Sequence, residues 1–448
     1  MKKLLGMALA LAISSSAIAA NAEIFKNLKT KGEISVLGVM DQNVTDLRTD
    51  TADDFRHTRS MLSYGVMFDL LDDLHANITL MKYNRYYGQA AENLNTVQSN
   101  ILVQEANVQL DKIAEHFNMK IGRQFYGEAQ DMVIFYGGSD PIQENYTASA
   151  LDGVRVDLAD SEKHNAHIVW AKTNEPGPTA TDDGTSLLGI RDDYKLMEDL
   201  TVGGYIYNRR TGNTNYGQNG DNLYVFGLKA NGRVNNLGYS AEIAANSGKG
   251  TAAAVESPSY KGYAFNAKVN YKIESDFGGF NPRVMFAYGS GDNQGLNSNG
   301  SKNTTFKPIN SDFRPGLIFG NSDLPVAQFG TNLNGGIGTN MNGTYYNQGS
   351  VANLTVMNLG VDYAPKFSEK LTFLLDFYTF KINQDTTGLV GDDKTIGSEL
   401  DLTANYKFAE NVTLGLAAGH FMPGNMVKKI TEDNNPANKL ASYITVKW

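Results

Sequence analysis

The last nine residues, Leu440-Ala441-Ser442-Tyr443-Ile444-Thr445-Val446-Lys447-Trp448, alternate in character. Leu440, Ile444, Val446 and Trp448 share one face of an extended chain, while Ala441, Tyr443, Thr445 and Lys447 share the other, because successive side chains of a strand point to opposite sides. An apolar face backed by a more polar one suits a strand with lipid on one side and water on the other. A soluble edge strand could read the same way over so short a stretch, so the pattern must be followed outward.

It recurs. Leu62, Tyr64, Val66, Phe68 and Leu70 alternate with Met61, Ser63, Gly65, Met67 and Asp69, and Leu371, Phe373, Leu375 and Phe377 alternate with Thr372, Leu374, Asp376 and Tyr378. Leu400, Leu402, Ala404, Tyr406 and Phe408 alternate with Asp401, Thr403, Asn405 and Lys407. Eighteen such runs can be placed, near 29–41, 55–70, 74–87, 100–111, 116–127, 150–159, 163–173, 184–195, 199–210, 222–231, 236–247, 260–273, 279–290, 351–364, 370–383, 396–408, 411–421 and 438–448. Short links such as Leu71-Asp72-Asp73, Lys112-Ile113-Ala114-Glu115, Asp160-Ser161-Glu162, Met197-Glu198 and Ala409-Glu410 take turns with much longer ones. Nine long loops and eight short turns are the arithmetic of an all-β, transmembrane, antiparallel up-and-down β-barrel of about eighteen strands with both termini on one side. A soluble sandwich has no reason to sort its connections this way.

Composition agrees. The 448 residues include 45 Gly, 23 Tyr and 21 Phe, only 11 Pro and no Cys, which favours strands and excludes disulfides and thiolate chemistry. Lys2 and Lys3, the apolar run Leu4–Ile13 and the small residues ending Ala20-Asn21-Ala22 form a secretory signal peptide over residues 1–22, leaving a single barrel domain over 23–448. Its removal takes the formal charge from -9 to -11, so no nucleic-acid partner is expected. No later stretch holds the ~18 consecutive apolar residues of a spanning helix. Together these place the chain in a bacterial outer membrane, in contact with its lipid and delivered to barrel-assembly machinery through the strand ending in Trp448.

Two loops stand out. The longest, Gly291 to Ser350, is rich in Gly, Asn and Ser and is expected to be a mobile surface cover. The loop Glu128 to Ser149 carries Val133-Ile134-Phe135-Tyr136 and Pro141-Ile142, apolar anchors that allow it either to fold into the lumen or to stand outward.

Between and around that second loop lie Gly122-Arg123-Gln124, Gly127-Glu128 and Leu151-Asp152-Gly153-Val154-Arg155-Val156. This arrangement resembles the Gly-Arg-Gln, Gly-Asp and Phe-Asp-Gly-Val-Arg pattern of the alginate-export family of eighteen-stranded outer-membrane channels. Glu128 stands where that family has Asp and Leu151 where it has Phe, and no dense basic run marks a dedicated alginate exporter. The resemblance implies a porin-like channel, with anionic sugars or polysaccharide as its cargo.

Parity assigns the lumen. Val154, Val156 and Leu158 take the lipid face, which turns Arg155 and Asp157 inward. The same reasoning directs His57, Arg59, Asp69, Arg85, Glu105, Arg191, Arg209, Lys229, Glu242, Lys268, Arg283, Asp376 and Asp401 into the lumen. A charge on the lipid face costs about 2–4 kcal/mol at mid-depth, so this confinement is meaningful. Arg123 follows the outward parity of Phe117, Met119 and Ile121 unless Gly122 marks a bulge that turns it inward to join the selectivity set. The basic members lie mostly in the first thirteen runs and Asp362, Asp376 and Asp401 in the last five, an arrangement that either creates a transverse field or braces the wall by pairing.

Catalytic and metal patterns are missing. His164 and His167, the closest pair of the six histidines, face opposite sides of a strand. There is no His-Glu-x-x-His, Gly-x-Ser-x-Gly or phosphate-loop motif, and Asp392-Asp393 and Glu432-Asp433 read as solvated turns and not as a calcium loop. No cofactor is expected. The expected function is an outer-membrane channel for hydrophilic solutes, not an enzyme. Its rivals are a general or nutrient-uptake porin and, behind that, an outer-membrane enzyme or a structural surface protein. With long loops outward, protease added to intact cells should cut between Gly291 and Ser350 and spare Leu71-Asp72-Asp73; cutting at that turn without permeabilisation would reverse the orientation.

Overall fold

The computed structural model describes residues 26–44, 47, 54–84, 101–138, 149–159, 161–174, 184–212, 220–250, 258–292, 302–320, 349–385, 390–431 and 435–448. Residues 1–22, the expected signal peptide, and Arg85 lie outside them. The first half of the wall comprises β1 (Lys26–Gln42), β2 (Phe55–Leu71), β3 (Leu74–Asn84), β4 (Ile101–Ile113), β5 (Phe117–Gln124), β6 (Leu151–Leu158), β7 (His164–Asn174), β8 (Thr185–Met197) and β9 (Leu200–Thr211). The second half comprises β10 (Asp221–Val234), β11 (Leu237–Lys249), β12 (Tyr263–Tyr271), β13 (Gly278–Gly289), β14 (Leu354–Pro365), β15 (Leu371–Ile382), β16 (Thr395–Ala409), β17 (Val412–Pro423) and β18 (Ala437–Lys447). Each strand pairs antiparallel with its chain neighbour, and β1 also pairs with β18 from Glu33↔Lys447 to Gln42↔Asn438, so the 18-strand barrel is closed. A short helix, α1 (Asn425–Thr431), caps the link between β17 and β18.

Closure follows from the solvent. Lipid offers no hydrogen bonds, so a spanning sheet cannot keep a free edge. The seam extends past the last strand residue: Gly32 and Trp448 exchange backbone hydrogen bonds of 2.9 and 3.1 Å. The faces sort as the alternation requires. On β18, Leu440 is 52% exposed to the outside while Ala441 behind it is fully buried. Outward aromatics ring both ends, with Phe117, Phe277, Phe367 and Phe408 near the short turns and Trp170, Tyr224 and Tyr263 toward the long loops.

The lumen is crossed by two segments of the chain. Residues 125–138 turn inward, and so do residues 305–320, part of the stretch the sequence assigns to a mobile surface cover. Phe306, Ile309, Phe313, Ile318 and Phe319 are buried inside the wall together with Met132, Val133 and Ile134 of the other segment. Phe319 stacks on Phe380 of β15 at 3.9 Å between ring centroids. The physical reason is spacing: the six large apolar side chains between 306 and 319 follow no strand or helix period, and the Gly-, Asn- and Ser-rich stretches on either side dominate the reading of the whole loop.

Gly32 has a specific role in the seam. A Cβ there would lie 2.2 Å from the Trp448 ring, so the indole occupies the space a side chain would need, with Tyr64 at 6.4 Å. Gly32→Val should therefore sharply reduce the heat-modifiable folded barrel in membrane fractions, as should deletion of Trp448. Wild-type levels in both would show that the seam does not depend on this contact.

Candidate functional site

The lumenal assignments can be placed one by one. Arg59 is 2% exposed, Asp401 5%, Glu105 9% and Asp376 9%, all on the inner face. Arg155 lies in register with the buried Val169, Arg191 with the buried Tyr205, and Arg209 with the buried Leu187 and Leu223, which puts these three inside as well. Asp157 pairs with His167, and Lys268 and Arg283 follow the same parity on β12 and β13. His164 and His167 take opposite faces, with His167 buried.

Arg123 is the correction. The register runs unbroken from Lys120↔Arg155 to Gln124↔Leu151, so Arg123 opposes Asp152 on the outer face beside Ile121 and Val154. Gly122 does adopt a left-handed φ of 113°, but the ladder takes up that distortion without switching parity. Arg123 donates to Asp152 at 2.8 Å on the outside of the barrel and does not line the pore.

The motif residues instead control how the chain leaves the wall and returns. Gln124 points inward and donates to the carbonyls of Lys120, Gly122 and Gly153, tying the end of β5 to the start of β6. Tyr126 then meets His167 Nε2 at 2.8 Å and Tyr207 Oη at 3.0 Å. Gly127 has φ of 89°, and a Cβ there would strike the Ile134 carbonyl at 2.3 Å, so the turn needs glycine. Glu128 accepts from Arg191 at 3.0 Å, and Arg191 also donates to Asp193 at 2.8 Å. Asp131 accepts the amides of Val133 and Ile134 at 2.6 and 2.9 Å and pairs with Lys229 of β10.

A second set of wall groups holds the other segment. Glu399 of β16 accepts the amides of Ile318 and Phe319 at 2.7 and 2.9 Å, and Asp401 accepts that of Leu317 at 3.0 Å. Arg209 donates to the carbonyls of Pro308 and Ile309, and Asn246 both donates to and accepts from the backbone of Lys307. The segments then bind each other: Ile309 and Asn310 donate to the Val133 carbonyl at 3.0 and 3.1 Å, and Phe135 donates to that of Asn310 at 2.6 Å. Arg191, Arg209 and Asp401 therefore act as posts for a constriction. Asp131, Tyr126 and Glu399 carry equal weight but were not among the expected site residues. Glu399 shares the inward parity of Asp401 and could have been found by it, whereas Asp131 lies in a loop where parity gives no direction.

Charges in the wall are paired more than segregated. Arg155 pairs with Asp157 two residues along its own strand, and Arg283 bridges to Asp362 and to Asp376. This removes much of the expected transverse field. Beneath the constriction, on the short-turn side, a cavity of about 680 Å³ remains. Its charged lining is Arg233, Lys268, Lys272, Arg283 and Arg314 against Asp376 and Asp401.

Two loop groups have displaced protonation equilibria. Burial pushes the Tyr126 phenol up to about 12, so it stays a neutral hydrogen-bonding group. For Glu128, partial burial opposes ionisation, but the cations Lys229 and Arg191 outweigh it and hold the carboxyl below its ordinary range.

A closed barrel of this strand number, with a lipid-facing exterior and a lumen crossed by inward segments, is an outer-membrane β-barrel of the porin type. The chain belongs to the alginate-export family, whose model matches residues 39–438. Solved structures with a similar fold include OccAB1 of Acinetobacter baumannii, at TM-score 0.57 and 8% identity over 95% of this chain and 97% of that one. OpdQ of Pseudomonas aeruginosa gives 0.54 and 13%, covering 95% and 99%, and OprD of the same organism gives 0.53 and 12%, covering 95% and 96%. These identities carry the fold alone. No curated protein matches the sequence.

A lowered carboxyl pKa means that the contribution of the Glu128 contact is present above the ordinary value of about 4.3 and is lost as pH falls through the lower folded value. Single-channel traces of the wild type should be quiet at neutral pH and gain open-level noise only below about pH 4. Glu128→Gln should show that noise at every pH. A variant as quiet as the wild type at neutral pH would show that this contact does not steady the constriction.

Proposed function

We propose that the barrel is a channel for small hydrophilic solutes, with a preference for anions such as uronic sugars or short acidic oligosaccharides. The observation that carries this reading is the cavity below the constriction, where wall and loop side chains together present five cations and two carboxylates. Groups lining a narrow place act on a solute at contact range, whereas exposed loop charges are screened beyond ~8 Å at physiological salt. The acidic net charge of -9 therefore does not set the selectivity.

Membership of the alginate-export family supports a saccharide cargo. The constriction supports a short or extended solute over a bulky one. Arg283 is engaged by Asp362 and Asp376, so Lys268 and Arg233 are the better probes. Lys268→Glu combined with Arg233→Glu should move the reversal potential in a salt gradient toward cations and slow liposome swelling in uronic oligosaccharides relative to neutral ones of equal size. Equal permeation of neutral and uronic sugars by the wild type would favour a general diffusion porin over an anion-preferring channel.

A further inference from the structure

The outward placement of Arg123 opens onto a feature that the pore does not use. Tracing the hydrogen-bonded register sideways from Arg123 leads to Asp152 on β6, then to Lys172 on β7. It continues through neutral polar positions on β8 and β10 to Arg210 on β9 and Lys249 on β11, and then by way of the 259–260 ladder to Lys302. One row across the outer wall thus holds five cations and one carboxylate.

The row belongs to the lipid face. Lys172 shares its strand face with Trp170, 52% exposed, Arg210 with Ile206, 47% exposed, and Lys249 with Ile243, 54% exposed. Each cation sits at or near the long-loop end of its strand, past the apolar residues of the belt. The stretch from β14 to β18 differs, whereas Arg56 of β2 and Lys82 of β3 add outward cations on the far side of it. In that stretch β14, β16 and β18 end on the same face with Thr355, Ser398 and Asn438, and Lys381 of β15 stands among them.

We propose that this row is a binding strip for the phosphate groups of lipids in the leaflet on the long-loop side. Anionic headgroups attract basic side chains at a membrane surface, and a guanidinium matches a phosphate with two parallel hydrogen bonds. Adjacent strands are ~4.8 Å apart, so cations on alternate strands stand roughly 10 Å from one another. At that distance salt screens them from each other, and a single free phosphate would feel only one or two. Strand tilt makes the row climb, but Lys172, Arg210 and Lys249 stand at similar distances from their short turns, so one layer of phosphorylated lipids can meet these three at once. The Asp152 carboxylate keeps the Arg123 guanidinium at the strand end, 2.8 Å away.

The test is native mass spectrometry of the folded barrel in detergent, titrated with a diphosphorylated glycolipid and with the same lipid after dephosphorylation. The wild type should prefer the phosphorylated lipid, and Lys172→Gln with Arg210→Gln and Lys249→Gln should lower apparent affinity about tenfold or more while leaving single-channel conductance unchanged. Arg210→Gln with Lys249→Gln alone, confined to two strand ends, should lose several-fold and remains readable if the triple variant fails to fold. Equal binding of both lipids by the wild type would overturn the proposal, as would an undiminished preference in a folded variant. Displacement of the lipid by equimolar inorganic phosphate would also overturn it, since the strip would then recognise a solute and not a lipid surface.

Discussion

Everything in this barrel depends on one constraint: the hydrocarbon layer supplies no hydrogen-bond partner, so every wall amide and carbonyl must find one in the sheet. The chain meets it by joining β1 to β18 over ten register pairs and adding the Gly32 and Trp448 backbone exchange beyond them. Once the sheet is closed, strand alternation does the rest. Apolar side chains go to lipid, and charged ones have only the lumen or the strand ends left to occupy.

The lumen then poses the opposite problem. A barrel of this size encloses more space than wall side chains can fill, and the chain uses two inward segments to narrow it. Their apolar residues pack against the wall, and polar contacts set their position: ion pairs of Asp131 with Lys229 and Glu128 with Arg191, and hydrogen bonds from the backbone amides of residues 317–319 to Glu399 and Asp401. Hydrogen bonds to ionised groups contribute about 1.5–3 kcal/mol each, so the two ion pairs hold the first segment firmly. The family motif falls at this point in the chain. Gln124, Gly127 and Glu128 govern the departure from β5, and Asp152 and Gly153 the return into β6.

Strand number, register parity and connection lengths were legible in the sequence because each repeats many times and each is forced by lipid. All eighteen runs correspond to wall strands. Arg155, Arg191, Arg209 and Asp401 could be directed inward for the same reason. What could not be read was the interior. Phe306, Ile309 and Phe313 carry no period, because a loop crossing a lumen has no fixed spacing, and Asp131 acts through a turn whose geometry depends on Gly127. Arg123 shows the limit from the other side: Gly122 has the backbone conformation of a bulge, yet the neighbouring ladder absorbs it and parity is kept.

The most direct measurement is the single-channel conductance of a barrel in which residues 129–137 are replaced by a short Gly-Ser linker. The wall contacts of β5 and β6 remain, and the barrel should still show heat-modifiable mobility. With one of the two inward segments removed, conductance should rise several-fold over the wild type, while the anion preference set by Lys268 and Arg233 should persist. A correctly folded variant with wild-type conductance would contradict the assignment of this segment as the narrow point of the channel.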